Sequence, residues 1–242
     1  MFELKNFSVF LKNKRILNKI NLIIKKGELH VIMGPNGAGK TTLALSLMGE
    51  KKFKIQNSKF KINGKDILKL ETDDRAKNGL FVSFQNPIGL KDVSVLSFLR
   101  ASFKEVHPNE EISFSAFKKK AEKILETVGL NHDFLKKSLN EDFSGGEKKR
   151  MELVQFMVLA PQFAIFDEID SGLDMDGIIM LSKIVKKTIK ECEMGILLIT
   201  HSQNIFKYLK PDFIHILING EIKKTGDIKL LKKIERVGYE AI

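Results

Sequence analysis

Residues Gly34-Pro35-Asn36-Gly37-Ala38-Gly39-Lys40-Thr41-Thr42 fit the spacing G-x-x-x-x-G-K-[ST]. The chemistry open to such a stretch is phosphate binding. Glycines let backbone N–H groups turn inward around phosphate oxygens, and a helix starting here adds its positive N-terminal end. Lys40 brings a mobile cation for the two outer phosphates of a nucleoside triphosphate, and the Thr41 hydroxyl suits Mg²⁺. A second stretch, Phe163-Ala164-Ile165-Phe166-Asp167-Glu168, delivers two adjacent carboxylates at the end of an apolar run. Asp167 can hold the magnesium shell and Glu168 can act as general base on a water. A third, Phe143-Ser144-Gly145-Gly146-Glu147, puts a hydroxyl and two glycines at a helix start, which is an anion-binding arrangement.

The elements needed to position these residues can be read from periodicity. Leu29-His30-Val31-Ile32-Met33 predicts a buried strand entering the glycine-rich turn, and Thr41 to Met48 predicts a helix leaving it. Gly79 to Phe84, Phe163 to Phe166, Ile196 to Ile199 and Ile214 to Ile218 predict further strands. Asn63-Gly64 and Asn219-Gly220 are hairpin signals. From about Val95 to Leu139 the spacing turns helical, with Phe114, Phe117, Ala121, Ile124, Leu125 and Val128 on one face and Gly129 as a stop. Strands alternating with helices imply an α/β fold with a mostly parallel sheet flanked by helices. A helical subdomain over approximately 88–160 is expected to be inserted in a single domain of residues 1–242.

In their order and company these motifs resemble the ATP-binding cassette (ABC) ATPases. The resemblance implies a P-loop NTPase core with antiparallel β elements and an inserted α-helical subdomain, with ATP and Mg²⁺ as cofactors. It carries over to Gln85 as the Q-loop glutamine and a magnesium ligand, alongside Thr41 and Asp167. Ser171-Gly172-Leu173-Asp174 matches the D-loop, and His201 matches the switch histidine that senses the γ-phosphate. It further implies an ATP-dependent homodimer, in which Ser144, Gly145 and Gly146 of one copy meet ATP held by Lys40 of the other. The family usually reads Leu-Ser-Gly-Gly-Gln where this chain has Phe143 and Glu147, which leaves the phosphate-facing trio intact. At the position of the aromatic residue that often stacks on adenine stands Leu11, with Phe10 beside it, so base selectivity is expected to be loose.

Within that superfamily the chain is most similar to the SufC family, the ATPases of SUF iron–sulfur cluster assembly. The stretches that carry this are Phe84-Gln85-Asn86-Pro87, Val93-Ser94, Phe98-Leu99-Arg100, Ser144 to Arg150, Asp167 to Asp174, Thr200-His201-Ser202-Gln203, Lys210 to His215 and Gly238-Tyr239. The resemblance implies SufB- and SufD-like scaffold proteins as partners, in the cytoplasm or an organelle stroma, with the cluster on the scaffold. The rival is the nucleotide-binding subunit of an ABC membrane transporter, which shares every catalytic residue. A DNA- or ribosome-associated ATPase is a further alternative. Two further expectations are local: Lys149 pairs with Glu168 and idles it, and Pro87, Ile88, Leu90, Val93, Val95, Phe98 and Leu99 form a docking groove rimmed by Lys91 and Arg100.

Composition narrows the classes. The 242 residues carry a single cysteine, Cys192, so neither a disulfide framework nor a cysteine metal cluster is available. The start of the chain does not read as a signal peptide, and no apolar run is long enough to span a membrane. The net charge is +11, but acidic residues are interspersed, as in Lys118-Lys119-Lys120-Ala121-Glu122-Lys123, which reads as solvated helix faces. No direct nucleic-acid contact and no direct membrane insertion are expected.

Overall fold

The computed structural model describes residues 1–85 and 87–239; Asn86, from the Phe84–Pro87 stretch, lies outside the described residues. In chain order come β1 (Phe2–Leu11), β2 (Lys14–Ile24), β3 (Leu29–Met33), α1 (Lys40–Met48), β4 (Phe53–Gln56), β5 (Lys59–Ile62), β6 (Lys65–Asp66), α2 (Thr72–Lys77) and β7 (Leu80–Val82). Then follow β8 (Leu90–Ser94), α3 (Val95–Val106), α4 (Phe114–Thr127), β9 (Ser138–Leu139) and α5 (Gly145–Leu159). The chain closes with β10 (Phe163–Asp167), α6 (Met175–Cys192), β11 (Gly195–Ile199), β12 (Phe213–Ile218), β13 (Glu221–Gly226) and α7 (Ile228–Val237).

Among the described residues the central sheet runs β13-β12-β3-β11-β10-β7, parallel except for the β12–β13 hairpin. Its inner strands are mostly apolar because both faces are covered. Leu29, Val31 and Met33 of β3, with Ala164 and Phe166 of β10 and Ile196 and Leu198 of β11, enter one core with α3 to α6. Ile32, Phe163, Ile165, Leu197 and Ile199 enter the other, which they share with Leu43, Ala44 and Leu47 of α1 and with the antiparallel sheet. That second sheet runs β2-β1-β5-β6, with β4 also on β1. Both hairpin signals hold: Asn63 and Gly64 join β5 to β6, and Asn219 and Gly220 join β12 to β13, all four at positive φ.

The helical stretch from 95 to 139 is interrupted. The β8–β9 pair precedes and follows it, and residues 107–113 separate α3 from α4. Phe114 opens α4 on its outer side, 54% exposed, with the Arg100 guanidinium over its ring, whereas Phe117, Ala121, Ile124 and Leu125 point inward. Helix α1 has no basic residue in its last turn. Arg75, from α2, is buried against that turn and donates to the carbonyls of Ser46 and Leu47, supplying the missing cation at the helix's negative end.

One polar network lies within the sheet itself. His30 Nδ1 is 2.9 Å from His215 Nε2, His30 Nε2 is 3.0 Å from Glu28 Oε2, and His215 Nδ1 is 2.8 Å from the Thr225 hydroxyl. If the carboxylate accepts from His30, then His30 accepts from His215, and His215 accepts from Thr225, so both rings are satisfied while neutral. Burial pushes His215 down to about 4 and lowers His30 against the pull of Glu28. A histidine depressed on folding stabilises fully above its unfolded value of 6.5, and that contribution is lost as pH falls toward 4. Urea unfolding is therefore expected to show stability falling through this window by on the order of 3 kcal/mol, with a shallower fall in His215→Gln. An identical pH slope in the variant would exclude the ring as the source.

Candidate active site

Strand β3 ends at Met33, and the chain turns through the glycine-rich loop into α1. Gly34 cannot be replaced, because a Cβ there would meet the Leu217 carbonyl oxygen at 2.0 Å. Gly39, the N-cap of α1, has φ 105 and lies against the Leu17 side chain, so the loop needs glycine at this position too. Lys40 is buried, and its ammonium donates to the carbonyls of Gly34 at 2.9 Å and Pro35 at 3.0 Å. Burial lowers its pKa, opposed by Glu168 and Asp167 nearby. The loop's own carbonyls thus hold the cation until a stronger anion competes for it.

Strand β10 brings Asp167 and Glu168 beside this loop. Asp167 is 1% exposed, its N–H donates to the Ser83 hydroxyl at 3.0 Å, and among the described residues its Oδ1 has no partner. Burial raises its carboxyl to about 6, with the Thr41 hydroxyl pulling the other way. An unpartnered buried carboxylate oxygen next to a hydroxyl suits a hard, oxygen-preferring cation such as Mg²⁺. Among the described residues no group of three or more His, Cys, Asp or Glu could hold a metal ion. Such a cation therefore needs oxygens from the substrate and water, which is how magnesium is usually held at nucleotide sites.

Glu168 is the geometric centre. Its backbone takes a left-handed φ of 53, held by its N–H donating to Ile199 O at 2.9 Å and its carbonyl accepting from Ser171 N at 3.0 Å. Its carboxylate accepts from Gln85 Nε2 at 2.8 Å and lies 2.8 Å from His201 Nε2. The expected Lys149–Glu168 pair is not formed. Lys149 instead pairs with Glu152 at 3.5 Å and donates to the carbonyls of Phe84 and Gln85. The reason is helical spacing: Glu152 is three residues along α5, on the same face as Lys149. The His201 loop has its own tie, which sequence reading missed: Thr200 donates to buried Asp170 at 2.7 Å and accepts from Ser202 N at 2.9 Å.

The structure brings Asn36, Gly37, Gly39, Lys40, Thr41, Thr42, Gln85, Glu168 and His201 around one concavity of about 450 Å³. Ile16 also lines it, and continues into an adjoining hollow with Leu11, Lys12, Asn13 and Lys14. Leu11 and Ile16 therefore form the apolar shelf beside the phosphate site, and Phe10 does not line it. Ile16 carried no motif by which the sequence could mark it. Ser144 and Gly146 line a separate concavity of about 400 Å³ with Gly172, Leu173 and Asp174. Ser144 caps α5 in a reciprocal box: its N–H donates to Glu147 Oε2 at 2.7 Å, and its hydroxyl accepts from Glu147 N. This box gives the glutamate at position 147 a local structural role. Phe143 is buried edge-on against Phe134, which accounts for an aromatic residue there.

The family profile described as "ABC transporter" matches residues 17–171. "Vegetative protein 296" of Bacillus subtilis (strain 168) is 40% identical over 240 residues, covering 99% of this chain and 92% of that protein. "Probable ATP-dependent transporter ycf16" of Antithamnion sp. is 40% identical over 246 residues, covering 99% of this chain and 96% of that one. Among solved structures, the dimeric post-hydrolysis state of the ATP-binding cassette MJ0796 bound to ADP and Pi has TM-score 0.81 at 22% identity, covering 94% of this chain and 99% of that chain. A nucleotide-free ATP-binding cassette from an ABC transporter has TM-score 0.79 at 25% identity, covering 100% of this chain and 98% of that chain.

The phosphate site has a direct test. Lys40→Ala removes the buried cation, and ATP binding is expected to weaken about 10- to 100-fold by fluorescent-nucleotide titration. Phosphate release should fall to background. Wild-type affinity and turnover in that variant would remove Lys40 from the site.

Proposed function

The chain belongs to the ABC family of ATP-binding cassettes, and on that premise we propose that it is the ATPase of a SUF-type iron–sulfur assembly complex, dimerising on ATP to move SufB- and SufD-like scaffolds. Binding and hydrolysis of ATP come with the family. The observation that carries the catalytic reading is Glu168, held between Gln85 and His201 beside Lys40 and Thr41. In this reading the loop amides cradle the phosphates, and Lys40 leaves the Gly34 and Pro35 carbonyls for the β- and γ-phosphates. Thr41, Asp167 and Gln85 would hold magnesium, which when bound neutralises charge on the phosphate oxygens. Glu168 accepts the proton of the attacking water, and His201 responds to the γ-phosphate.

The signature residues Ser144, Gly145 and Gly146 enter through a second copy. In one chain Ser144 and Gly146 line a different concavity from Lys40. Two copies related by a two-fold axis can close each phosphate site with the other's signature helix. The ATP-binding cassette MJ0796, which is dimeric in its post-hydrolysis state with ADP and Pi, supports this arrangement. Glu168→Gln keeps the shape and removes the base, so it is expected to accumulate an ATP-bound dimer by size-exclusion chromatography. A variant that binds Mg·ATP yet remains monomeric with its partners present would rule out the composite site.

We assign partner docking to an apolar groove of about 590 Å³ between α2, β7 and α3. Its position differs from the sequence expectation. Val95 and Leu99 face the core, and of the expected residues Phe98 lines the groove. Arg100 is partly buried over Phe114, and the acidic residues at the groove are Glu71 and Asp73. Glu71 and Asp73 already pair with Lys51 and Lys77, so what the groove offers a partner helix is its apolar lining. The SUF assignment draws on stretches from both halves of the chain, Phe84–Pro87, Phe98–Arg100 and Lys210–His215 among them. The transporter reading is favoured by the names of relatives such as ycf16. No helix among the described residues is long and apolar enough to cross a membrane. Ser102→Trp, which fills the groove, is expected to abolish partner co-purification and leave ATP affinity unchanged. Recovery of soluble scaffolds with the wild type supports the SUF reading, and a membrane-embedded partner in their place overturns it.

A further inference from the structure

The pair formed by Lys149 and Glu152 takes no part in the chemistry above, yet both side chains are ionisable and buried. Its contacts are concentrated on one short piece of backbone. Glu152 Oε1 accepts from Phe84 N at 2.6 Å, and Lys149 Nζ donates to Phe84 O and Gln85 O, each at 2.9 Å. Strand β7 ends at Val82, and Ser83 N to Ile165 O is a last bond to the neighbouring strand. Beyond it the peptide groups of Phe84 and Gln85 are fastened to α5.

Stability alone does not account for the arrangement. Burial pushes the Glu152 carboxyl up to about 7 although Lys149 lies 3.5 Å away, and among the described residues Glu152 Oε2 has no hydrogen-bond partner. Apolar residues of similar size would often serve the fold as well or better. What the ion pair supplies is a donor and an acceptor at fixed positions, matched to three backbone groups. The same helix carries Ser144 at its N-cap, eight residues or about 12 Å from Glu152. At the other end of this backbone, Gln85 Nε2 donates to Glu168.

We propose that Lys149 and Glu152 are positioning residues that fix the Gln85–Glu168 contact to helix α5, so that the signature helix and the catalytic carboxylate shift together. The inference rests on the catalytic reading of Glu168. A displacement of α5 on meeting a second copy's nucleotide is carried through Phe84 and Gln85 to Glu168 without passing through the sheet.

The test uses the full chain with its partner proteins and compares Glu152→Ala, Glu152→Gln and Lys149→Met. Each is measured for ATP dissociation constant, kcat, melting temperature and amide exchange at Phe84. Glu152→Ala and Lys149→Met are expected to lower kcat about 10- to 100-fold, the cost of a small misplacement of a catalytic group. ATP affinity should stay within about two-fold, as a positioning role requires. Glu152→Gln keeps a carbonyl acceptor for Phe84 N, so it should recover most of kcat and the slow exchange at Phe84. Wild-type kcat in Glu152→Ala, or an equal loss in Glu152→Gln with Phe84 protection retained, overturns the proposal. So does a loss of affinity parallel to that of kcat. Glu168→Gln is run beside them: if it turns over normally, the catalytic reading itself has failed.

Discussion

The hydrogen-bond register of three adjacent parallel strands sets the rest of this molecule. Ile199 of β11 lies opposite both Asp167 of β10 and Ile32 of β3, so the three strands finish at one level. The ladder continues one bond further on each side, with Glu168 N donating to Ile199 O and Thr200 N to Ile32 O. The phosphate loop, the paired carboxylates and the Thr200–His201 turn therefore leave the sheet side by side. A slip of one residue would turn every side chain of a strand to the opposite face and exchange its two cores, which is why the register is strongly specified. Glu168 adopts its left-handed backbone at this edge, an unfavourable conformation for a residue with a side chain, supported by bonds to Ile199 and Ser171.

The site gathers charge where the core would otherwise exclude it. Lys40, Asp167, Glu168 and Asp170 are all buried, and burial is the leading influence lowering Lys40 and raising Asp167 and Asp170. The molecule offsets this cost with specific partners: carbonyls for Lys40, Gln85 and His201 for Glu168, and Thr200 for Asp170. Asp167 Oδ1 is the group left over. Among the described residues, a site whose charges are partnered except at one buried carboxylate oxygen has its strongest unmet demand where a cation such as magnesium would bind.

The separation of the Lys40 and Ser144 concavities has an equally physical origin. Helices α3 to α6 share a core with one face of the sheet, while the phosphate helix α1 packs on the other face. Lys40 and Ser144 are thus carried by elements on opposite sides of the same sheet, and one chain cannot bring them together by side-chain rotation. Helix α5 is nevertheless joined to the sheet edge through Phe84 and Gln85, so its placement is felt at Glu168.

Much of this was legible in the residues. Local steric and hydrogen-bonding demands act over a few positions, so the glycine-rich turn, the apolar strands, both Asn-Gly hairpins and the order of the motifs can be read from sequence. The separation of Ser144 from Lys40 was also implied, by resemblance. The partners of buried charges were not legible. Helical spacing offers Lys149 the carboxylate of Glu152 three residues on, but the Phe84 and Gln85 carbonyls that hold its ammonium come only from the packing of α5 against that backbone. The same holds for Arg100, which tertiary packing lays over Phe114, and for Ile16, which matters solely because β2 runs beside the phosphate loop. Sequence determines which groups demand a partner, through their charge and local geometry. Which partner each receives depends on distances between segments far apart in the chain, and those exist only once the two cores have packed.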